Sequence, residues 1–104
     1  MIETEIRTLL DAPTRGAGAP PLARLEDTLT AGYAHALALE AERWRLERRI
    51  AEVAAELDED SSLRGSELRK LSRSLKTANT DLTQLRVLLG SLRDRANQVR
   101  AAAA

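Results

Sequence analysis

From Leu68 to Val99 the chain places an apolar residue at alternating steps of three and four: Leu68, Leu71, Leu75, Ala78, Leu82, Leu85, Leu89, Leu92, Ala96 and Val99. A mean step of about 3.5 residues cancels the drift of a 3.6-residue turn, so this seam stays against a neighbouring helix along its length. A second seam of the same step runs through Leu22, Leu25, Leu29, Gly32, Ala36, Leu39, Arg43, Leu46, Ile50, Val53 and Leu57, with Arg43 its one polar member. Run antiparallel, the two seams match layer by layer. Leu57 falls opposite Leu68, Ile50 opposite Leu75, Arg43 opposite Leu82, Ala36 opposite Leu89 and Leu29 opposite Ala96. The layers between pair Val53 with Leu71, Leu46 with Ala78, Leu39 with Leu85, Gly32 with Leu92 and Leu25 with Val99. Small residues meet large ones in four layers, as an even interhelical spacing requires.

The pattern predicts a helix over about 22–57, a loop over about 58–65 and a helix over about 66–101, folded as a hairpin. Ahead of them Ile2, Ile6, Leu9 and Leu10 share one face of a short amphipathic helix within residues 1–13. Ten residues are too few to stay helical alone in water, so this segment must dock or fray. Residues 14–21 form a Gly/Pro linker, and Pro21 suits the first turn of the next helix. Ser61, Ser62 and Ser66 are each able to cap the second long helix. The predicted fold is all-α: a long antiparallel coiled-coil helical hairpin with a short N-terminal helix, dimerising into a four-helix bundle.

The dimer follows from what the seams leave over. Tyr33, Leu37, Ala41 and Trp44 form a second stripe beside the first seam, and Val87 and Leu88 lie outside the other. A bare two-helix hairpin leaves such a patch in water, and exposed apolar patches mark interfaces. A second copy, residues 2–10 folded across in cis or swapped, or a foreign helix would each cover it. Self-association into a homodimer is the preferred reading, with a helical protein partner as the other.

Composition narrows the chemistry. Aromatic residues make up only 2% of the 104 residues and charged ones 31%, which implies a thin aliphatic core and long helices. Net charge is zero but unevenly placed: residues 1–61 hold seven basic and thirteen acidic side chains, residues 62–104 nine basic and three acidic. Complementary surfaces across the hairpin account for this split. A second reading assigns Arg64, Arg69, Lys70, Arg73, Arg93, Arg95 and Arg100 to anion contacts, with nucleic acid as the ligand. It is the weaker one, because an acidic helix alongside neutralises the field that attracts phosphate. Within the seam, Arg43 is expected to reach Asp81 and fix the register.

No cysteine is present, His35 is the lone histidine, and no Glu-x-x-His pair occurs. No metal, cofactor or catalytic residue is therefore expected. Gly16-Ala17-Gly18 is too short, and has no strand before it, for a phosphate loop. No apolar run suits a membrane span, and the acids Glu3 and Glu5 stand where a signal peptide needs a basic start, so a cytoplasmic location is expected. The hairpin outline is similar to that of the small exported Trp-x-Gly proteins. Their motif sits in the interhelical turn, whereas Asp58–Gly65 has no Trp and Trp44 is followed by Arg45 and Leu46, so no membership is claimed. The expected function is a non-enzymatic protein–protein interaction module, an adaptor, assembly or chaperone-like subunit. The alternative is nucleic-acid- or polymerase-associated binding through the Arg-rich second helix.

Overall fold

The computed structural model describes residues 1–56 and 61–103, apart from the side chain of Ser61. Three helices are present, α1 (Ile2–Asp11), α2 (Leu22–Ala55) and α3 (Ser61–Ala103), with no strand among the described residues. Helices α2 and α3 pack as a hairpin. The chain divides into two compact units, one of residues 1–37 and 84–104, the other of residues 38–83.

In the first unit α1 is the third helix. Its acidic first turn, Glu3 and Glu5, complements the positive end of the helix dipole. It stops at Ala12, which is extended (φ −70°, ψ 156°) because the ring of Pro13 disfavours a helical residue before it. Ile6 and Leu9 are fully buried, and Ile2 and Leu10 half-buried, so the apolar face read from the sequence is the face that docks. Burial of Ile6 and Leu9 contributes roughly 1.5–3 kcal/mol each, which offsets the cost of ordering a helix too short to persist alone. The linker then turns at Gly16, whose φ of 88° suits a residue without a Cβ, and Ala19 N–H donates to Gly16 O at 3.1 Å. The carbonyl of Pro21 accepts from the amides of Arg24 (3.0 Å) and Leu25 (3.3 Å) to start α2.

The seams are where burial falls. In the first unit Leu25, Leu29, Gly32 and Ala36 of α2 and Leu85, Leu89, Leu92 and Ala96 of α3 are buried. The second unit has only two helical segments, and Leu39, Arg43, Leu46, Ile50, Leu68, Leu71 and Leu75 are half-buried there. Val53, Ala78 and Leu82 complete its buried set. The difference has a simple cause: two helices bury a single stripe on each other, and a third helix is needed to close its flank.

In the first unit the contacts straddle the register expected from the sequence: Arg100 of α3 pairs with Glu26 of α2 at 3.2 Å, beside the expected Leu25–Val99 layer. A Cβ built on Gly32 falls 2.4 Å from Leu89 Cδ2, so Leu89, one layer along from the Leu92 expected opposite, packs on Gly32. Absence of a side chain lets the two backbones approach closely here. In the second unit Arg49 bonds Glu67 and Glu56 pairs with Arg64, contacts that likewise fall earlier in α3 than the expected pairing. The beginning of α3 is also earlier, at Ser61, so Gly65 is helical and not part of a loop, and Ser66 lies inside the helix instead of capping it. A single helical glycine costs about 1 kcal/mol against alanine, too little to stop a helix of this length. Leu57 of the seam, the Asp58–Asp60 part of the expected loop and the Ser61 cap lie outside the described residues.

Candidate interaction surface

Docking of α1 decides which apolar residues remain free in the first unit. Ile6 Cδ1 approaches the Gly32 Cβ position at 3.6 Å, and Glu3 Oε1 lies 4.0 Å from His35 Nε2, so α1 runs antiparallel to α2 along the Gly32–His35 side. Its C-terminal end has no basic residue of its own to meet the last carbonyls. Arg95 of α3 supplies the donors: Nη2 donates to Leu10 O at 3.0 Å and Nη1 to Ala12 O at 3.5 Å. The guanidinium thus caps α1 across more than eighty residues of sequence, a role the sequence did not signal.

With α1 in place, Leu37 and Val87 are both 65% exposed and Tyr33 44% exposed, while Leu88 is half-buried. Residues Thr28 to Leu39 contain no Asp, Glu, Lys or Arg, so the outward residues Thr30, Ala31, Tyr33, Ala34 and Leu37 form an uncharged face. Depletion of charge with an aromatic and aliphatic centre is the composition of an interface core.

Trp44 belongs to the second unit, 59% exposed, with the Arg48 guanidinium carbon 5.4 Å from its ring centroid. That cation–π contact holds one ring face and leaves most of the indole accessible. Arg43 is half-buried in the seam as expected, but the ion pair recorded for it runs along α2, Nε to Glu47 Oε1 at 4.0 Å. Asp81, its expected partner, lines an open hollow of about 290 Å³ with Leu39, Glu42, Arg73, Ser74, Thr77 and Ala78. A glutamate one turn along the same helix is reached without crossing the interface, which is why Arg43 settles there.

The candidate anion contacts do not form one site. Arg64 pairs with Glu56, Arg93 Nε lies 3.9 Å from Asp94, and Arg100 bonds Asn97 Oδ1 at 2.7 Å and Glu26 at 3.2 Å. With Arg95 committed to α1, four of the seven basic side chains are engaged inside the protein. Arg69, Lys70 and Arg73 have no ion pair recorded among the described residues, and Arg73 Nε reaches only Arg69 O at 3.5 Å. Arg49, not among the seven, donates to Glu67 Oε1 through Nη2 (2.8 Å) and Nε (3.2 Å). The Glu67 carboxylate, as hydrogen-bond acceptor and as charge, holds that guanidinium above its ordinary pKa.

Among the described residues no group of three or more His, Cys, Asp or Glu side chains is arranged to hold a metal ion. No described helix is long and apolar enough to cross a membrane. Compared with family models, with curated proteins and with solved structures, the chain matches none.

Proposed function

We propose that this chain is a non-enzymatic interaction module that self-associates through the apolar residues its own fold leaves exposed. Tyr33, Leu37, Val87 and Leu88 supply the contact in the first unit and Trp44 in the second. The observation that carries the reading is that Tyr33 and Leu37, within the uncharged Thr28–Leu39 stretch, stay exposed although α1 docks along its Gly32–His35 side. A second copy is the favoured occupant, completing a four-helix bundle from two hairpins, because small helical hairpins gain the burial they lack by oligomerising. An adaptor or assembly role follows, with a foreign helix as the other occupant of the same face.

Light scattering coupled to gel filtration tests this directly. The wild type is expected at twice the mass of one chain, and Leu37→Glu with Trp44→Glu at the mass of one chain with far-UV helicity retained. A wild type of single-chain mass, or a double variant of unchanged mass, would sink the proposal.

One observation favours a second reading. From Leu68 to Thr80 there is no acidic residue, and Arg69, Arg73 and Lys76 recur at helical spacing. A nucleic-acid role through this stripe requires binding that weakens steeply with salt, read by fluorescence anisotropy on duplex and single strands. Flat anisotropy at low salt removes it.

A further inference from the structure

The linker and the last turns of α3 enclose a second hollow in the first unit, of about 210 Å³, lined by Thr14, Arg15, Arg95, Gln98, Val99 and Ala102. Its polar lining consists of two guanidinium groups, a carboxamide and a hydroxyl, and no carboxylate lines it. In a chain with sixteen acidic and sixteen basic residues, an acid-free hollow with two arginines is not an average piece of surface.

Arg95 is fixed in place. Its bonds to Leu10 O and Ala12 O use one nitrogen each and orient the planar guanidinium, which has five N–H donors in all. Donors remain for a ligand, already ordered before it arrives, and such pre-organisation lowers the cost of binding. Arg15 comes from the other wall. It has no ion pair recorded among the described residues, and the next residue is Gly16, whose positive φ sets the path of the loop. Val99 and Ala102 form the apolar side.

We infer that this hollow binds a small phosphate-type oxyanion, free or as a monoester. Two cations, one of them held in place, match the charge of about −1.5 to −2 that a phosphate carries at neutral pH, whereas a single carboxylate leaves one of them uncompensated. Guanidinium groups suit the paired oxygens of phosphate, and the Gln98 amide and Thr14 hydroxyl supply donors for the third. The Val99–Ala102 side accommodates the organic part of an ester. The site is independent of the self-association face, since none of its six residues belongs to that face.

The test is a ¹H–¹⁵N correlation titration of the full chain at constant ionic strength, with inorganic phosphate, glycerol phosphate and acetate in separate arms. Saturable shifts of the Thr14, Arg15, Arg95 and Gln98 amides with phosphate are expected, with acetate at least about tenfold weaker because it offers half the charge. Tighter glycerol phosphate assigns the ester as ligand, and tighter inorganic phosphate the free ion. Arg15→Gln, an exposed loop change that leaves the α1 cap intact, should weaken phosphate about tenfold through loss of a charge-assisted contact. Shifts that grow linearly without saturation, acetate as tight as phosphate, or Arg15→Gln binding phosphate like the wild type would each overturn the assignment.

Discussion

Adding one methyl group at two helical glycines should have opposite effects on stability. Gly32 and Gly90 lie in α2 and α3 and neither has a positive φ, so alanine fits the backbone at both. At Gly90 nothing approaches within 4 Å of the new Cβ, and only the helix preference changes. Gly90→Ala should stabilise by about 0.5–1 kcal/mol, chiefly by narrowing the unfolded ensemble. At Gly32 the same methyl meets Leu89 Cδ2 at 2.4 Å, Leu89 Cγ at 3.5 Å and Ile6 Cδ1 at 3.6 Å. A terminal methyl of leucine moves readily on a surface, but Leu89 is only 3% exposed and Ile6 is fully buried, so there is little room to give way. Overpacking of this kind costs about 1–3 kcal/mol, against which the helix preference returns about 1 kcal/mol. Gly32→Ala should therefore range from neutral to about 2 kcal/mol destabilising, and lie roughly 1–3 kcal/mol below Gly90→Ala. Urea unfolding followed by helical circular dichroism, at a common m value, measures the difference. In thermal scans it corresponds to about 4–8 °C per kcal/mol for a chain of this size. If Gly32→Ala is stabilised as much as Gly90→Ala, the close approach of α2 and α3 at Leu89 is refuted.

Ile6→Ala should cost about 2–5 kcal/mol of α1 docking by leaving a cavity, seen in hydrogen exchange as lost protection of the α1 amides while α3 amides near Leu82 and Leu85 stay protected; equal loss in both would contradict docking of α1 as a separate step. Arg95→Met keeps the aliphatic stem but leaves Leu10 O and Ala12 O without their donor. It should destabilise α1 by about 1.5–3 kcal/mol and raise exchange at its C-terminal end, and an unchanged exchange pattern would count against the cap. Arg49→Gln should lower the thermal midpoint slightly at low salt and not at all in 1 M NaCl, because the pair with Glu67 is exposed and screened. A raised folded-state pKa gives a contribution that is complete below the ordinary guanidinium pKa and is lost only above it, so this effect should be flat through neutral pH.

The seams, the hairpin and the docking face of α1 were legible in the sequence because burial is periodic and the periodicity survives translation into structure. Every seam position among the described residues is buried or half-buried. Register was less legible, for a reason internal to the seam. Leu82, Leu85, Leu89 and Leu92 are chemically identical, so sliding α3 by a turn still sets leucine against several central positions of α2. Only Gly32, Ala36 and Arg43 distinguish one alignment from the next. Gly32 accepts Leu89 as well as Leu92 by size, and Arg43 finds Glu47 in its own helix, so neither singles out one alignment. Arg95 was read as an anion contact and not as a cap of α1, because its partners are backbone carbonyls, which leave no mark in side-chain patterning. The signal available was indirect: α1 ends at Ala12-Pro13 with no basic residue in its last turn, and its carbonyls therefore need a donor from elsewhere.

Docking of α1 also alters what the exposed patch requires. Before the fold is known, residues 2–10 are one of three ways to cover Tyr33 and Leu37. In the structure their apolar side is committed: Ile6 and Leu9 are buried, Ile6 against the Gly32 position, while Tyr33, Leu37 and Val87 remain open. The Thr28–Leu39 stretch of α2 bears no fixed charge on any side, and a helix segment of that kind is expected to be surrounded. Leu29, Gly32 and Ala36 are buried in the seam facing α3, and the Gly32–His35 side is met by α1. On the remaining side Tyr33 is 44% and Leu37 65% exposed. A mass measured across a range of concentrations tests whether a second copy covers that side, as proposed above.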